Sequence, residues 1–231
     1  MKKAVLISEP KLGMGIYTMP DIAMLFRLPN HKINRWVNTF WNEKLGKQYE
    51  SHYSWNIART KAVNFYTVVE MFTFYQLSKA NVSSTKILEA HDVLSKKFNT
   101  PYPFAQKNIL KHIRTEGKKV LFEDQSGSIF SLDASLQFQL EFIREFFKNL
   151  DFDEGSLAVR FWPIGRERDI VCDPHHQFGQ PVIAGTNILA EAVAEMVKAG
   201  DKKDFIARTF NISRKQIDDA LAYANQPKQA A

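Results

Sequence analysis

The sequence predicts a mainly α chain with minor β, an α+β fold in three parts. These are a winged helix-turn-helix over residues 1–66, a helical and β-hairpin middle over 67–168, and a three-helix unit over 169–231. Three observations predict it. Apolar residues recur at helical spacing through most of the chain. Strand-like runs are short and bounded by turn residues. The net charge of +6 is confined to one end: residues 1–66 hold ten Lys/Arg against four Asp/Glu, whereas residues 67–231 hold 21 of each.

Composition narrows the class. At 231 residues and 45% hydrophobic, the chain is long and apolar enough for a sizeable core, and its 18 phenylalanines are unusual. Cys172 is the only cysteine, so no intramolecular disulfide forms and a reducing, cytoplasmic setting is expected. No apolar run reaches the roughly 18 residues of a membrane helix. The early run AVLI is shorter than the roughly 7–15 residues of a secretory signal's core, so no membrane partner is expected.

The first element is read from Thr18 and Asp21, spaced as a capping box, with Pro20 in the first turn. Ile22, Ala23, Leu25 and Phe26 give this helix an apolar face. Arg27-Leu28-Pro29 ends it, because the residue before proline is pushed out of the helical region. Asn30 is the expected cap of the second helix. There Ile33, Trp36, Val37 and Phe40 form one buried stripe, and His31, Lys32, Asn34, Arg35 and Asn38 face outward. Two short helices with a tight turn, the second basic outside, make the helix-turn-helix pattern whose second helix enters the major groove. Arg35 suits guanine, Asn34 and Asn38 suit adenine, and Lys32 suits phosphate. A wing is expected within Gly46–Asn64, with Lys47, Arg59 and Lys61 placed for phosphates, although this stretch also reads as a solvated loop.

Phe65 to Phe98 reads as two helices broken at Asn81-Val82-Ser83, with Phe65, Val69, Phe72 and Leu77 as core. His91 is expected at or near the surface and not as a ligand. Val120–Glu123 and Ser128–Leu132 predict a hairpin. Ser135–Leu150 predicts a helix with two apolar stripes, and Phe138, Phe142 and Phe146 form one of them. A face that wide suits a partner or dimer contact as well as a core. Leu157–Gly165 reads as a strand followed by a charged linker, Arg166–Asp169.

The stretch DPHHQFGQPVIAGTNI, Asp173–Ile188, admits three readings. Cys172, His175 and His176 invite a metal, but zinc needs more ligands, and His31, His52, His91 and His112 lie on other elements. A phosphate loop lacks its Gly-Lys-Ser/Thr and loses an N–H to Pro181. Scaffold explains more: a turn at Asp173-Pro174, a short strand Pro181–Ile183, and a turn at Gly185–Asn187 in which Thr186 or Asn187 caps the helix that follows. No metal and no cofactor are therefore expected. Gly200 ends that helix, Asp201 is the expected cap of the next, and Ser213 caps a third that buries Ile217, Leu221 and Ala224. Residues 169–225 hold six Lys/Arg against eight Asp/Glu, and Asp218 and Asp219 are expected to be exposed beside Arg214 and Lys215. A duplex repels such a face, so Arg214 and Asp218 are assigned to protein contact. Deleting residues 169–231 is expected to leave the DNA contacts in place.

Two resemblances join these readings. Tyr17-Thr18-Met19-Pro20-Asp21-Ile22-Ala23, Leu28 and Ile33-Asn34-Arg35-Trp36 resemble the MerR-like helix-turn-helix. Asp173-Pro174, Gly179-x-Pro181-Val182-Ile183-x-Gly185-Thr186, Ala199-Gly200 and Ala220–Ala224 resemble a small helical domain, formerly of unknown function, found widely in bacterial antitoxins. Asn187 departs from the Arg usual there. The whole order is similar to VapB-type antitoxins encoded beside PIN-like ribonuclease toxins. That resemblance implies a cytoplasmic, non-enzymatic homodimer, or a larger complex with its toxin. It would neutralise a toxin from an adjacent gene and repress its own operon at operator DNA. The alternative from the residues is a stand-alone helix-turn-helix regulator whose C-terminal part senses a ligand or dimerises.

Overall fold

Local capping sets the first elements. The computed structural model describes residues 10–11, 13–79, 82–111, 113–116, 119–123, 129–132 and 148–227. Strand β1 (Tyr17–Thr18) runs directly into helix α1 (Met19–Phe26). The Asp21 carboxylate accepts the Thr18 N–H at 2.8 Å and the Thr18 hydroxyl accepts the Asp21 N–H at 3.4 Å, completing the capping box. Helix α1 stops at Arg27, whose φ of 58° is left-handed. Asn30 is not the cap of α2 (Asn30–Arg35). Pro29 holds that position and its ring has no group to cap with, while the Asn30 side-chain oxygen accepts from the Asn34 amide. Helix α2 then widens into a π-helix, Trp36–Leu45, and a 3-10 turn, Gly46–Tyr49. Ile33, Trp36, Val37 and Phe40 are all buried, and the rings of Trp36 and Phe40 pack on Phe74. The wing is present: β2 (Ser54–Ile57) and β3 (Thr60–Val63) form a hairpin, and β1 completes the sheet in the order β1-β3-β2.

Helices α3 (Phe65–Lys79) and α4 (Ser84–Phe98) form the centre. Phe65, Val69 and Leu77 are buried as expected, while Phe72 is partly buried against Phe26 and Phe161. His91 departs from expectation: it is 1% exposed, with Nε2 2.8 Å from Glu70 Oε2. Its burial follows from Glu70, a core carboxyl that needs donors and finds them in His91 and in the Phe104 and Ala105 N–H groups. A 3-10 turn (Pro103–Ala105) and α5 (Lys107–Lys111) lead to a three-stranded sheet. The expected hairpin is β5 (Lys119–Glu123) on β6 (Ile129–Leu132), and β4 (Ile113–Glu116) adds a strand the sequence did not announce. The helix expected over Ser135–Leu150, with Phe138, Phe142 and Phe146, lies outside the described residues except at its end. There Leu150 opens a strand instead, β7 (Leu150–Phe152).

Strands β8 (Ala158–Phe161), β9 (Ile170–Cys172) and β10 (Pro181–Ile183) join β7 in the order β10-β9-β8-β7. This sheet crosses the point between residues 168 and 169. The last unit is α6 (Ala190–Lys198), α7 (Lys203–Phe210) and α8 (Arg214–Ala224). Ser213 caps α8 in a capping box with Gln216, and Gly200, at φ 103°, ends α6. The other expected caps are absent: Leu189 and Lys202 hold the cap positions with no side-chain bond. Thr186 instead donates to the Ile183 carbonyl at 2.8 Å and accepts the Ile188 N–H at 3.0 Å. One hydrophobic cluster runs from Tyr17 to Tyr223.

Candidate nucleic-acid interface

Of the residues expected to meet DNA, Asn34, Arg59 and Lys61 line a cleft between α2 and the wing, whereas His31, Lys32, Arg35, Asn38 and Lys47 are not in its lining. Asn30, Asn34, Asn56, Arg59 and Lys61 line it, with a volume of about 630 Å³, and Pro20 at the start of α1 closes one side. The turn at Ala58-Arg59 sets Arg59 at the wing tip, with Ala58 at φ 49°. The Lys61 ammonium donates to the Asn38 side-chain oxygen, which ties the wing to the helix.

Hydrogen bonding sorts these candidates. The Asn34 amide nitrogen donates to both the carbonyl and the side chain of Asn30, at 3.0 Å each. Adenine recognition needs that N–H and the amide oxygen together, so Asn34 must first release Asn30. Asn38 is similarly occupied by Lys61. The Lys32 ammonium sits 5.8 Å from the centre of the Trp36 ring. Arg35 and His31 are exposed, and among the described residues neither has an ion-pair partner. Arg35 therefore presents an uncommitted guanidinium fork, the group that reads guanine. Lys47 stands exposed on the 3-10 turn and does not line the cleft. Its neighbours Gln48 and Tyr49 bond to Ser95 in α4.

The C-terminal candidates stay on the surface. Arg214 pairs with Asp204, and Asp218 with Lys203, all of them exposed or half-exposed. Asp219, expected to be exposed, is 2% exposed. The buried stripe of α8 runs Ile217, Ala220, Tyr223, and this rotation carries Asp219 inward. It accepts from Arg168 Nη1 at 2.8 Å, Lys215 Nζ at 2.8 Å and the Asp169 N–H at 3.1 Å. Burial pushes its pKa up, but Lys215, Arg168 and that N–H outweigh burial and hold it below the ordinary carboxylate value.

In the Asp173 stretch the side chains diverge. Cys172 is fully buried, and burial pushes its thiol pKa up, which disfavours the thiolate. His175 and His176 are exposed, and His176 Nδ1 lies 2.8 Å from Asn187 Oδ1. Among the described residues no three of His, Cys, Asp and Glu stand together as a metal site. The stretch does fasten the chain to itself. The Tyr17 hydroxyl donates to the Gly179 carbonyl at 2.6 Å, and Gly179 has φ 90°, with the Tyr17 hydroxyl 2.1 Å from where a Cβ would stand. Sequence reasoning missed this seat, and the run of Gly179 before Pro181 was its only signal.

Comparison with known proteins follows the same outline. A family model described as "Protein of unknown function (DUF433)" matches residues 170–224. "Uncharacterized protein Rv2308" of Mycobacterium tuberculosis is 23% identical over 227 residues, covering 95% of this chain and 94% of the relative. "Putative antitoxin VapB45" of the same organism is 24% identical over 172 residues, covering 68% of this chain and 69% of the relative. The crystal structure of Rv2018 from M. tuberculosis superposes with a TM-score of 0.65 at 15% identity, over 91% of this chain and 98% of that one. At that identity the likeness is one of fold. Among the described residues no helix is long and apolar enough to cross a membrane.

Proposed function

We propose that this chain is an antitoxin that binds operator DNA through its N-terminal winged helix-turn-helix and neutralises a PIN-like ribonuclease encoded by an adjacent gene. The observation that carries the toxin half is the similarity to the protein named as an antitoxin, together with the family match over residues 170–224. The DNA half rests on the cleft that gathers Arg59 and Lys61 beside Asn34 of α2, and on Arg35, exposed on the same helix. The boundaries 1–66, 67–168 and 169–231 remain the proposed division of labour, in a homodimer or a larger complex with toxin.

The test has two arms. Co-expression with the neighbouring nuclease is expected to rescue growth, and unchanged arrest with this protein in excess rejects the toxin half. Fluorescence anisotropy on the operator is expected to show Arg35→Ala losing about 1–3 kcal/mol and relaxing the preference at one base. Arg59→Ala and Lys32→Ala are expected to weaken all sequences alike and to reduce the salt slope by about one each. Wild-type affinity for all three variants rejects the DNA half.

A further inference from the structure

A second cleft lies where β7 and β8 meet the start of α5. Its volume is about 490 Å³, and Lys107, Arg160, Arg166, Asp151, Asp173 and Phe152 form its lining with His175 at the rim. This volume falls in the range of small-molecule sites, roughly 300–1,000 Å³.

The carboxylates here are fully used. Asp173 Oδ2 accepts from Arg160 Nε at 2.8 Å and its Oδ1 accepts the His175 N–H at 2.9 Å. Asp151 Oδ1 pairs with Arg166 at 2.5 Å and its Oδ2 accepts from Trp162 Nε1 at 3.0 Å. The cations are not fully used. Among the described residues Arg160 bonds Asp173 through Nε alone, so both terminal nitrogens keep their donors there. Arg166 spends Nε and Nη2 on Asp151 and on the Lys148 and Leu150 carbonyls, and among the described residues keeps Nη1. Among the described residues the Lys107 ammonium has no anionic partner; it sits 5.6 Å from the centre of the Phe152 ring. Three cations against two committed carboxylates leave the lining positive.

We infer that this cleft binds the phosphate of a phosphorylated ligand. Its two guanidinium groups are anchored by buried or half-buried carboxylates and by backbone carbonyls, so they are fixed in the lining with donors to spare. A planar fork fixed in this way matches phosphate oxygens, and a nearby ammonium supplies a point charge. The inference uses none of the residues assigned to operator binding, so it stands or falls apart from the proposed function.

The probes are pyrophosphate, ADP and a duplex oligonucleotide of arbitrary sequence, titrated into the full chain by calorimetry at matched ionic strength. Saturable pyrophosphate binding is expected, weakened roughly tenfold by Lys107→Gln and by Arg160→Lys, each removing one charge-assisted bond or fork. Lys107 is exposed, so its variant keeps the fold; the melting temperature of each variant verifies this. If the duplex leaves pyrophosphate bound, the source is a free phosphorylated molecule. If the duplex displaces it, and Lys107→Gln weakens both, the source is a nucleic-acid backbone. Either result supports the site. No saturable binding of any probe, or binding that both folded variants retain at wild-type strength, overturns it.

Discussion

Glu70 shows how a single buried group organises its surroundings. Burial pushes its pKa above the ordinary carboxylate value, against the opposing pull of His91 and the Phe104 and Ala105 N–H groups. Removing it strands three donors in a dry core. Glu70→Ala is therefore expected to cost about 3–5 kcal/mol in urea unfolding. Glu70→Gln keeps an oxygen for the two N–H groups and no longer has a charge to bury, so its cost is expected to stay under about 1.5 kcal/mol. Equal losses for the two variants would contradict this account. Asp219 has the opposite sign. Its folded pKa lies below the unfolded value of about 3.9, so its contribution is complete above that pH and is lost as pH falls through the folded value. Asp219→Asn is expected to cost about 1–3 kcal/mol at pH 7. It should also flatten the acid limb of stability between about pH 5 and 2, read from melts across that range. Gly179→Ala meets both a left-handed φ and the Tyr17 hydroxyl, and is expected to lower the melting temperature more than Gly185→Ala, where nothing lies within 4 Å.

At the scale of elements, the tie between wing and helix makes the clearest claim. The Lys61–Asn38 bond holds the hairpin against the π-helix that continues α2, without contributing to the core. Asn38→Ala is expected to leave the melting temperature nearly unchanged while weakening operator binding several-fold, because the wing then pays ordering entropy on docking. Undiminished affinity would show that the wing is positioned by β1 and β3 alone. This same unit was the most legible in the sequence, since its signals are local: Thr18 with Asp21, the Pro29 break, the stripe from Ile33 to Phe40. Where the deciding contact was distant, the sequence was silent. Strands β4 and β9 exist through partners that no local pattern names. Helix α8 turns Asp219 inward because Arg168 and Asp169, some fifty positions earlier, meet it there. The π-helix after α2 left no composition signal at all. Of the candidate interface, the residue types and their faces were readable. Which amides were already engaged was not, because Asn34 and Asn38 are occupied by side chains that a linear pattern does not orient.

At the scale of the whole molecule, the two ends are physically joined. The Tyr17 hydroxyl reaches Gly179, the Ile16 N–H donates to the Phe178 carbonyl at 2.8 Å, and the Arg27 guanidinium donates to the Tyr223 carbonyl and lies 4.9 Å from the centre of its ring. Arg27 is the residue that closes α1 at the turn of the helix-turn-helix. Its positive charge also faces the last turn of α8, where helix carbonyls favour a cation. Strand β9 completes the β8 edge from the far side of residue 168. Cutting the chain there would therefore expose an unpaired strand edge, uncover Tyr17 and leave Arg27 without its seat. A chain ending at 168 is expected to melt well below the full-length protein and to lose operator affinity with its fold, contrary to the independence that charge distribution alone suggests. The full-length variant Arg27→Ala separates the two effects. It is expected to retain the circular dichroism of the fold while losing about 1–3 kcal/mol of stability. Its operator affinity should fall because the α1–α2 turn is no longer braced. Wild-type melting and wild-type affinity for the chain ending at 168 would show instead that the N-terminal unit stands alone and that these contacts are incidental to it.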